Sequence, residues 1–337
     1  MKEAMFYKRS IDNKVNCFLC NHRCIINDGK RGICGVRENN NGTLYSLVYG
    51  KAIASHIDPI EKKPLNHFLP GSLSYSIATV GCNFRCMFCQ NWDISQRPKE
   101  YGRIEGKSLS PDEIVENALM GKCNSISYTY TEPTIFFEYA YDTGKLARRR
   151  GLRNVFVTNG FMTEDAIDIV KRFLDAANID LKAFTERFYR DMCGAHLEPV
   201  LRSIKKMKKL GIWIEITTLI IPKVNDSDDE LKGIAEFIAN EVGIDTPWHV
   251  SRFHPDYKYT DSYSTPIETL HRAKKIGVES GLRYIYVGNV PGDHNENTYC
   301  PECGELLIER SLFYVSKNKI KNDRCPKCNA KIGGIWK

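Results

Sequence analysis

The sequence predicts an α/β protein in which repeated βα units form a barrel, whole or partial, with a cysteine-rich extension at each end. Two observations carry this prediction. Between about residues 73 and 292, runs of β-branched and aromatic residues alternate with longer amphipathic stretches, which is typical of a parallel sheet with helical crossovers. Apart from Cys123 and Cys193, the cysteines fall into one group before this region, one near its start and one after it. We therefore predict three domains, at residues 1–72, 73–292 and 293–337.

Seven short runs are predicted to be strands. They cover residues 75–80, 125–130, 155–158, 179–181, 213–220, 249–253 and 284–287. Helices are predicted near residues 135–149, 164–176, 199–210, 228–242 and 266–280. Another helix begins after Ser110, because this N-cap serine is followed by Pro111 at the first helical position and by Glu113 three residues later. In a barrel of such units the catalytic groups lie at the carboxyl ends of the strands.

Composition limits the class of protein. The chain has 337 residues, 42% of them hydrophobic, which suffices for a large core. Its most apolar stretch, 212–222, contains Glu215 and is too short for a bilayer, so it predicts a buried strand and no membrane span. The first nine residues lack the apolar segment of a secretory signal, and we expect a cytosolic protein with reduced thiols rather than a disulfide framework. The net charge of +7 is compatible with acidic partners or RNA and specifies neither.

The most informative group of cysteines follows the first predicted strand. Three residues separate Cys82 from Cys86, and two separate Cys86 from Cys89. Thiolates are the usual protein ligands of iron–sulfur clusters, and a four-iron cluster has four corners to fill. Three local ligands therefore predict a [4Fe–4S] cluster with one open iron. S-adenosylmethionine (SAM) is the expected small molecule at that iron, because radical chemistry is among the tasks that proteins delegate to it.

Other interpretations of this triad stay open at this point. The three thiolates could hold zinc with a distant histidine as fourth ligand, although no histidine lies between His67 and His196. The protein could also be a non-catalytic metal protein that carries electrons or binds RNA. The two cysteines outside the groups, Cys123 and Cys193, are predicted to be core thiols.

Polar residues follow four further predicted strands or lie at their ends, and together they would surround one mouth of the barrel. Singly they are weak signals, because Thr-Asn-Gly is a common turn and an Asp–Lys pair is common at surfaces. SAM needs acceptors for its amino group and ribose hydroxyls, cations for its carboxylate and apolar contacts for its adenine. The candidates for these contacts are Phe88, Glu132, Thr158, Asn159, Asp180, Lys182 and His254.

The last cysteine group consists of two Cys-x2-Cys pairs. They are Cys300 with Cys303 and Cys325 with Cys328, a pattern similar to zinc ribbons. We predict a structural tetrahedral metal, zinc or a single iron, in a small β module filled by the apolar runs 306–308 and 313–315. Recognition of a partner or of RNA is the alternative role.

The first cysteine group has uneven spacing. It consists of Cys17, Cys20, Cys24 and Cys34. Four thiolates fit either zinc or a second iron–sulfur cluster, and the sequence does not choose between them. Structural zinc is favoured, with His22 as a possible substitute ligand. A cluster here would instead feed electrons to the triad or bind substrate.

These motifs resemble those of the radical SAM superfamily. A Cys-x3-Cys-x2-Cys motif with an aromatic residue before the last cysteine is the superfamily signature, and the run Cys-Asn-Phe-Arg-Cys-Met-Phe-Cys-Gln-Asn at 82–91 is similar to pyruvate formate-lyase activating enzymes. Over nearly its whole length the chain resembles the radical SAM enzymes of the AmmeMemoRadiSam system. The stretches that carry this resemblance are 17–24, 32–37, 89–96, 130–134, 248–255 and the closing cysteine pairs.

The resemblance implies a partial (β/α)6 radical SAM barrel with a [4Fe–4S] cluster on the triad. It also implies reductive cleavage of SAM to methionine and a 5′-deoxyadenosyl radical that abstracts hydrogen from a substrate. Glu132 stands where relatives have a Gly-Gly-Glu motif contacting the SAM amino group, with Tyr130-Thr131 in place of the glycines.

Three further motifs are carried over by the resemblance. Asp180 and Lys182 match an Asp-x-Lys motif that serves SAM and a nearby cation in the activating enzymes. Thr158 and Asn159 match a Thr-Asn-Gly motif in the same enzymes. His254 corresponds to a histidine near the SAM carboxylate.

The resemblance also implies partners. These are an external electron donor, a protein substrate such as a glycyl radical target, and the Memo-type and AMMECR-type proteins of the same system. Radical SAM modification of RNA or of a small metabolite is an alternative, motivated for RNA by the positive charge and the metal-bound tail.

Overall fold

The computed structural model describes residues 1–337, and its first part is built from short strands. Strands β1 to β8 are Lys2–Glu3, Tyr7–Arg9, Val15–Cys17, Ile25–Ile26, Arg37–Asn40, Thr43–Ser46, Lys51–Ala52 and Ala54–Pro59. One small antiparallel sheet has the order β1-β6-β5, and another has the order β2-β3-β4. The buried side chain of Arg37 on β5 pairs with Glu138 at 2.8 Å and so ties this region to the rest of the chain.

A twisted sheet of eight strands forms the centre of the molecule. Strands β9 to β16 are Leu73–Ala78, Lys107–Ser108, Ser125–Tyr128, Arg153–Thr158, Ala176–Asp180, Trp213–Ile220, Trp248–Arg252 and Ile285–Gly288. The sheet has the order β16-β15-β14-β13-β12-β11-β9-β8, and β10 pairs with β7 outside it. From β9 to β16 its strands run parallel, and β8 is antiparallel at the edge. The predicted parallel barrel is confirmed, and all seven predicted strands are present.

Helices α1 to α9 cross between the strands. They are Trp92–Ser95, Arg97–Tyr101, Pro111–Met120, Phe137–Arg149, Glu164–Val170, Glu186–Phe188, Leu197–Lys209, Asp228–Phe237 and Ile267–Glu279. The predicted capping box of α3 is present: Ser110 Oγ accepts from the Glu113 amide at 3.2 Å, and the Glu113 carboxylate accepts from the Ser110 amide at 2.6 Å. None of these helices is long and apolar enough to cross a membrane.

One predicted helix is too long. The sequence predicts a helix over 164–176, but α5 ends at Val170 and Ala176 already belongs to β13. Ala176 pairs with Val155 of β12 and with Trp213 of β14, and these two ladders outweigh the helical preference of alanine. The helical pattern of the sequence therefore runs past the true end of the helix.

The boundary at residue 72 divides elements that lie in one sheet. β8 precedes it, yet pairs with β9 from Ala54↔Ala78 to Pro59↔Leu73. The first predicted domain thus supplies the edge strand of the barrel sheet. The three-domain division itself stays a prediction.

The segment 60–70, called the plug below, closes the barrel at the amino ends of the strands. Its side chains Leu65 and Phe68 pack with Val155 and Ala176, at the starts of β12 and β13. Glu215 of β14, fully buried, accepts hydrogen bonds from the backbone amides of plug residues 66 and 67 at 2.9 and 2.7 Å. His249 of β15 lies 2.7 Å from the same carboxylate.

The last part of the chain is a small β module. Its strands β17 to β19 are Thr298–Tyr299, Leu306–Ser311 and Tyr314–Asn318. Leu307, Ile308 and Ile332 are buried beside Cys300 and Cys325, as the predicted apolar filling requires. Phe313 and Tyr314 are exposed, however, because they lie at the tip of the β18–β19 hairpin, where nothing covers them. The module contacts the plug through a parallel bridge between Phe68 and Ile335.

Candidate functional site

The cysteine triad lies in the loop that follows β9, at the carboxyl end of the barrel. The loop turns at Gly81, whose φ is +101°, and a Cβ built there would lie 2.6 Å from Val36 Cγ1. Only glycine fits this turn without displacing the N-terminal region. The loop is also fixed in its middle, because the amide of Arg85 donates to the carbonyl of Cys193 at 2.9 Å.

The sulfur atoms of the triad have few protein partners. Cys82 Sγ accepts from the Phe84 amide at 3.3 Å, and Cys89 Sγ lies 3.3 Å from Ser95 Oγ. Burial raises the pKa of the Cys82 and Cys89 thiols, and for Cys86 a contact with Cys193 adds to burial. The triad is not gathered within 4.8 Å, unlike the C-terminal cysteines, whereas thiolates on one zinc ion would lie about 3.8 Å apart. This spacing and the thiol donor set fit a polynuclear cluster better than a single zinc ion.

Glu132 lies beneath the loop after β11 with only 1% of its surface exposed. Its Oε1 accepts from the amide of Thr134 at 2.9 Å, from the Thr134 hydroxyl at 2.5 Å and from the Thr158 hydroxyl at 2.7 Å. Its Oε2 accepts from the Asn159 amide at 2.8 Å. Burial raises the pKa of this carboxyl, against the effect of those donors. Glu132 therefore fixes the loops after β11 and β12, and its predicted contact with the SAM amino group stays a prediction.

The turn after β12 joins the triad to Glu132. Asn159 Nδ2 donates to Asn83 Oδ1 at 2.7 Å and lies 3.9 Å from Cys82 Sγ. Thr158 and Asn159 are 2% and 5% exposed, so both are held from several sides. The predicted site residues Thr158, Asn159 and Glu132 are thus brought together with the first cysteine of the triad.

Asp180 and Lys182 lie at the end of β13 and face the triad. Lys182 Nζ donates to Asp180 Oδ2 at 2.7 Å, and the two side chains are 14% and 32% exposed. Burial acts to lower the pKa of Lys182, but the charges of Asp180, Cys86 and Cys193 raise it overall. The pair is therefore a partly buried cation and anion beside the cysteines, not a surface ion pair.

His254 and Phe88 lie on either side of the last cysteine. Gln90 Nε2 donates to His254 Nε2 at 2.9 Å, and the His254 side chain is exposed. Phe88 is 3% exposed and packs against Phe188 with the ring centroids 5.7 Å apart. Its ring offers little free surface, so its predicted contact with adenine stays a prediction.

Two residues of this site carried no signal of site membership in the sequence. Cys193, fully buried, contacts Cys86, and the Tyr189 hydroxyl accepts from the Lys182 amide at 3.0 Å. Both lie in a π-helical turn over residues 189–193, and single-turn π segments are frequent at functional sites. A lone cysteine and a lone tyrosine in a helical stretch are not recognisable as site residues from sequence.

The C-terminal cysteines form a compact group. The sulfur atoms of Cys300 and Cys328 are 3.6 Å apart, those of Cys303 and Cys325 are 3.7 Å apart, and all four lie within 4.8 Å of one another. Four thiolates on one tetrahedral zinc ion have sulfur atoms about 3.8 Å apart. The group therefore suits a single metal ion, and which metal it takes stays a prediction.

The N-terminal cysteines line a pocket. The other lining side chains include Leu19, His22, Ile26, Ile135 and Arg37. His22 Nε2 donates to the backbone carbonyl of Asn83 at 2.9 Å. No two cysteines of the structure are joined by a disulfide bond.

Comparison with known proteins gives the chain a family. Residues 76–238 match the family model described as the Radical SAM superfamily. An uncharacterized protein of Methanocaldococcus jannaschii is 51% identical over 98% of this chain and 99% of its own length. The pyruvate formate-lyase-activating enzyme of Clostridium pasteurianum is 22% identical over 61% of this chain and 88% of its own length.

A solved structure supports the fold. The radical SAM methyltransferase from Sphaerobacter thermophilus superposes with a TM-score of 0.50 at 16% sequence identity, over 66% of this chain and 68% of that one. At this identity the similarity establishes the architecture alone.

Proposed function

Since the chain belongs to the radical SAM superfamily and is a radical SAM enzyme related to the glycyl-radical activating enzymes, we propose that it cleaves SAM reductively and directs the resulting radical at a protein. The observation that carries the proposal is the triad loop at the carboxyl end of the barrel, whose residues 79–91 contain three cysteines and no fourth cysteine, histidine or carboxylate.

Cys82, Cys86 and Cys89 would hold the cluster. A [4Fe–4S] cluster with one open iron supplies the electron that cleaves SAM into methionine and a 5′-deoxyadenosyl radical. The protein orients the ligands, because Gly81 sets the turn and the Cys193 carbonyl holds the middle of the loop. Cys86 is buried and Cys82 and Cys89 are half-buried, which limits access of water to the site.

The residues around the triad would bind SAM. Lys182 supplies a cation for its carboxylate and Asp180 an acceptor for its amino group, while exposed His254 lies at the rim. Thr158 and Asn159 would contact SAM from beside Cys82, since Asn159 Nδ2 lies 3.9 Å from the Cys82 sulfur. The full proposed set is Phe88, Glu132, Thr158, Asn159, Asp180, Lys182 and His254.

A protein substrate is supported by the relatives. The name of the Clostridium enzyme states that it activates pyruvate formate-lyase, which is a protein. Within this proposal the chain would take electrons from an external donor and act with the Memo-type and AMMECR-type proteins of its system. Similarity to the radical SAM enzymes of that system is what supports these partners.

The decisive experiment measures 5′-deoxyadenosine. Anaerobically reconstituted protein with SAM and a strong reductant is expected to release it, and Cys86→Ala is expected to release none. Cys123→Ala is the matched control, because Cys123 is also a buried cysteine, 6% exposed, and is not part of the triad loop. Release of 5′-deoxyadenosine by Cys86→Ala at the wild-type rate would contradict the proposal.

RNA is a second candidate substrate, favoured by the hairpin of the C-terminal module. Tyr314 is 70% exposed there, and Lys317 on the same strand is exposed as well. An aromatic ring beside a cation is suited to stacking on bases and to contacting phosphates. Binding of tRNA that weakens with salt and with Tyr314→Ala would support this candidate, and salt-independent or absent binding would exclude it.

A further inference from the structure

The four N-terminal cysteines are arranged unlike the four C-terminal ones. The C-terminal sulfur atoms all lie within 4.8 Å of one another, whereas no three N-terminal sulfur atoms do. The N-terminal thiols nevertheless line one common pocket. They are therefore spread around a shared space rather than drawn to one point.

Spacing distinguishes the two kinds of metal site. Four thiolates on a single zinc ion stand about 3.8 Å apart. Four thiolates at the corners of a four-iron cubane stand about 6 Å apart, since the iron and sulfide atoms occupy the middle. From this we propose that Cys17, Cys20, Cys24 and Cys34 hold a second [4Fe–4S] cluster, closed by four thiolates, that passes electrons to the triad. This replaces the structural zinc that the sequence favoured.

The lining of the pocket supports a cluster. Besides the cysteines, the apolar side chains of the lining are Leu19, Ile26, Ile33 and Ile135. Apolar walls limit solvent access to a metal centre and so tune its potential. They offer no polar groups to a free substrate.

Arg37 supplies a charge that the apolar wall lacks. It lines the pocket, is 2% exposed, and carries a buried Nε atom with no hydrogen-bond partner. Its side chain shares this lining with Cys17 and Cys34. Its Nη2 is already bound to Glu138 and to the Met5 carbonyl, so the free Nε is the donor left for a sulfide or a thiolate.

Four protein ligands define what such a cluster can do. Every iron would be coordinated by a cysteine, so no corner remains for a substrate or for SAM. The site would therefore carry electrons. This distinguishes it from the triad, whose local set stops at three thiolates.

The two cysteine groups are joined by direct contacts. His22, between Cys20 and Cys24, donates to the carbonyl of Asn83, between Cys82 and Cys86, at 2.9 Å. A Cβ built on Gly81 would lie 3.3 Å from the Cys34 carbonyl oxygen. The N-terminal pocket thus adjoins the triad loop at two points.

The electron count is simple, and the transfer step rests on the proposed function. A low-potential one-electron donor, such as a reduced ferredoxin or flavodoxin, reduces the N-terminal cluster from the 2+ to the 1+ state. That cluster returns to the 2+ state as one electron passes to the triad, where it is used in the cleavage of SAM. No proton or further reactant is needed.

Metal analysis tests the site without any activity. The variant Cys82→Ser/Cys86→Ser/Cys89→Ser, reconstituted anaerobically with iron and sulfide, is expected to keep about four iron and about four sulfide per chain, against about twice that in the wild type. Adding Cys20→Ser and Cys24→Ser should remove all the sulfide. Retained C-terminal metal and unchanged far-UV circular dichroism show that both variants are folded. If the triad variant contains zinc at the N-terminal cysteines and no sulfide, the proposal of a second cluster is wrong.

A comparison of reductants tests the electron transfer. In Cys20→Ser/Cys24→Ser, we expect 5′-deoxyadenosine formation to fall at least tenfold with a protein donor and to persist with dithionite, which can reach the triad directly. The affinity for SAM should not change. If 5′-deoxyadenosine formation falls equally with both reductants, the N-terminal cysteines have a structural role, and the proposal of electron transfer is wrong. No 5′-deoxyadenosine from the wild type with either reductant would instead defeat the proposed function, while the sulfide count would still stand.

Discussion

Glu132 shows how a single buried side chain can organise a site through the loops that it joins. Its two oxygens accept four hydrogen bonds from residues on two successive loops, and only 1% of its surface is exposed. Leaving such donors without an acceptor costs about 1–3 kcal/mol each when they are buried. Glu132 is therefore as important for the geometry of Thr158 and Asn159 as for any contact of its own.

Replacing this carboxylate should loosen both loops. Glu132→Ala is expected to lower the free energy of unfolding by about 3 kcal/mol, and Glu132→Gln, which keeps one acceptor, by about 1 kcal/mol. Anaerobic urea denaturation measures both. Equal stabilities of the alanine and glutamine variants would mean that the hydrogen bonds contribute little.

Gly81 should be irreplaceable for reasons of both conformation and space. Gly151→Ala is the control, because Gly151 has a φ of +78° and no atom within 4 Å of an added Cβ. We expect that control to lose about 1 kcal/mol, the cost of a left-handed residue. Gly81→Ala should lose clearly more and should bind less iron at the triad, because its Cβ would collide with Val36. Thermal unfolding and iron analysis of both variants check this.

At the scale of single residues, the sequence predicted the chemistry better than the geometry. The spacing of Cys82, Cys86 and Cys89 is readable because the ligands are local. The contact of Cys193 with Cys86 is not, because it joins residues that are distant in the chain. The burial of Glu132 and Phe88 likewise depends on tertiary packing.

Strand β8 shows how one element attaches the N-terminal region to the barrel. Asp58, near its end, pairs with Lys63 of the plug at 2.7 Å and with Lys62 at 2.9 Å, and accepts from the Tyr130 hydroxyl. Burial acts to raise the pKa of Asp58, but Lys63, Tyr130 and Lys62 together hold it well below its usual value. One carboxylate thus joins β8, the plug and the loop after β11.

The depressed pKa of Asp58 makes its contribution dependent on pH. The unfolded chain binds a proton near the usual value of 3.8 and the folded chain does not, so stability is lost as the pH falls below about 4. We expect Asp58→Asn to cost about 2 kcal/mol near pH 7, and the difference from the wild type to shrink as the pH falls below 4. Denaturant unfolding at several pH values measures it. A difference that stays constant into acid would show that the charge plays no part.

The C-terminal module should lose its hold on the plug when its metal is removed. The amide of Leu69 donates to the Ile335 carbonyl at 2.7 Å, and the amide of Ile335 donates to the His67 carbonyl at 2.7 Å. In Cys328→Ser we expect hydrogen exchange at these two amides to rise about tenfold. Cys123→Ser is the control, and mass spectrometry of the exchanged peptides measures the effect. If the metal is lost and hydrogen exchange at these amides does not change, the metal site does not stabilise the contact between the module and the plug.

Among the elements, those with strong local signals were predicted well. The capping box of α3 and the long apolar strand β14 are both where the sequence places them. α5 is shorter than its pattern, because strand pairing at Ala176 competes with helix propensity. The plug carried no signal at all, since its amides are satisfied by Glu215 from a strand that lies far along the chain.

On the scale of the whole molecule, the N-terminal region completes the barrel sheet as well as carrying cysteines. Removal of residues 1–72 would take away β8 and the plug, and would expose the edge of β9 and the buried face around Val155. We expect that truncation to aggregate. Removal of residues 1–46 leaves β8 and the plug in place but leaves buried Glu138 without Arg37, and it should give more soluble protein in size-exclusion chromatography than the larger truncation. Equal behaviour of the two truncations would contradict this role.

The general architecture was predictable because each βα unit repeats a local pattern, and the cysteine groups mark the flanking regions. The way those regions attach was not, because it depends on contacts such as those of Arg37 with Glu138 and of Asp58 with Tyr130. The cysteines of the two flanking groups differ in the spacing of their sulfur atoms, and distances in space cannot be read from separations along the chain.

The plug has a consequence for molecular traffic. Leu65, Phe68 and the Glu215 hydrogen bonds close the barrel at the amino ends of the strands. A small molecule or a peptide therefore cannot pass through the barrel from one end to the other. Ligands that enter along the barrel axis would therefore bind and leave at the same end, at the carboxyl ends of the strands. A polypeptide substrate bound at that end would block the release of 5′-deoxyadenosine. The polypeptide would then have to dissociate before the next SAM molecule could bind.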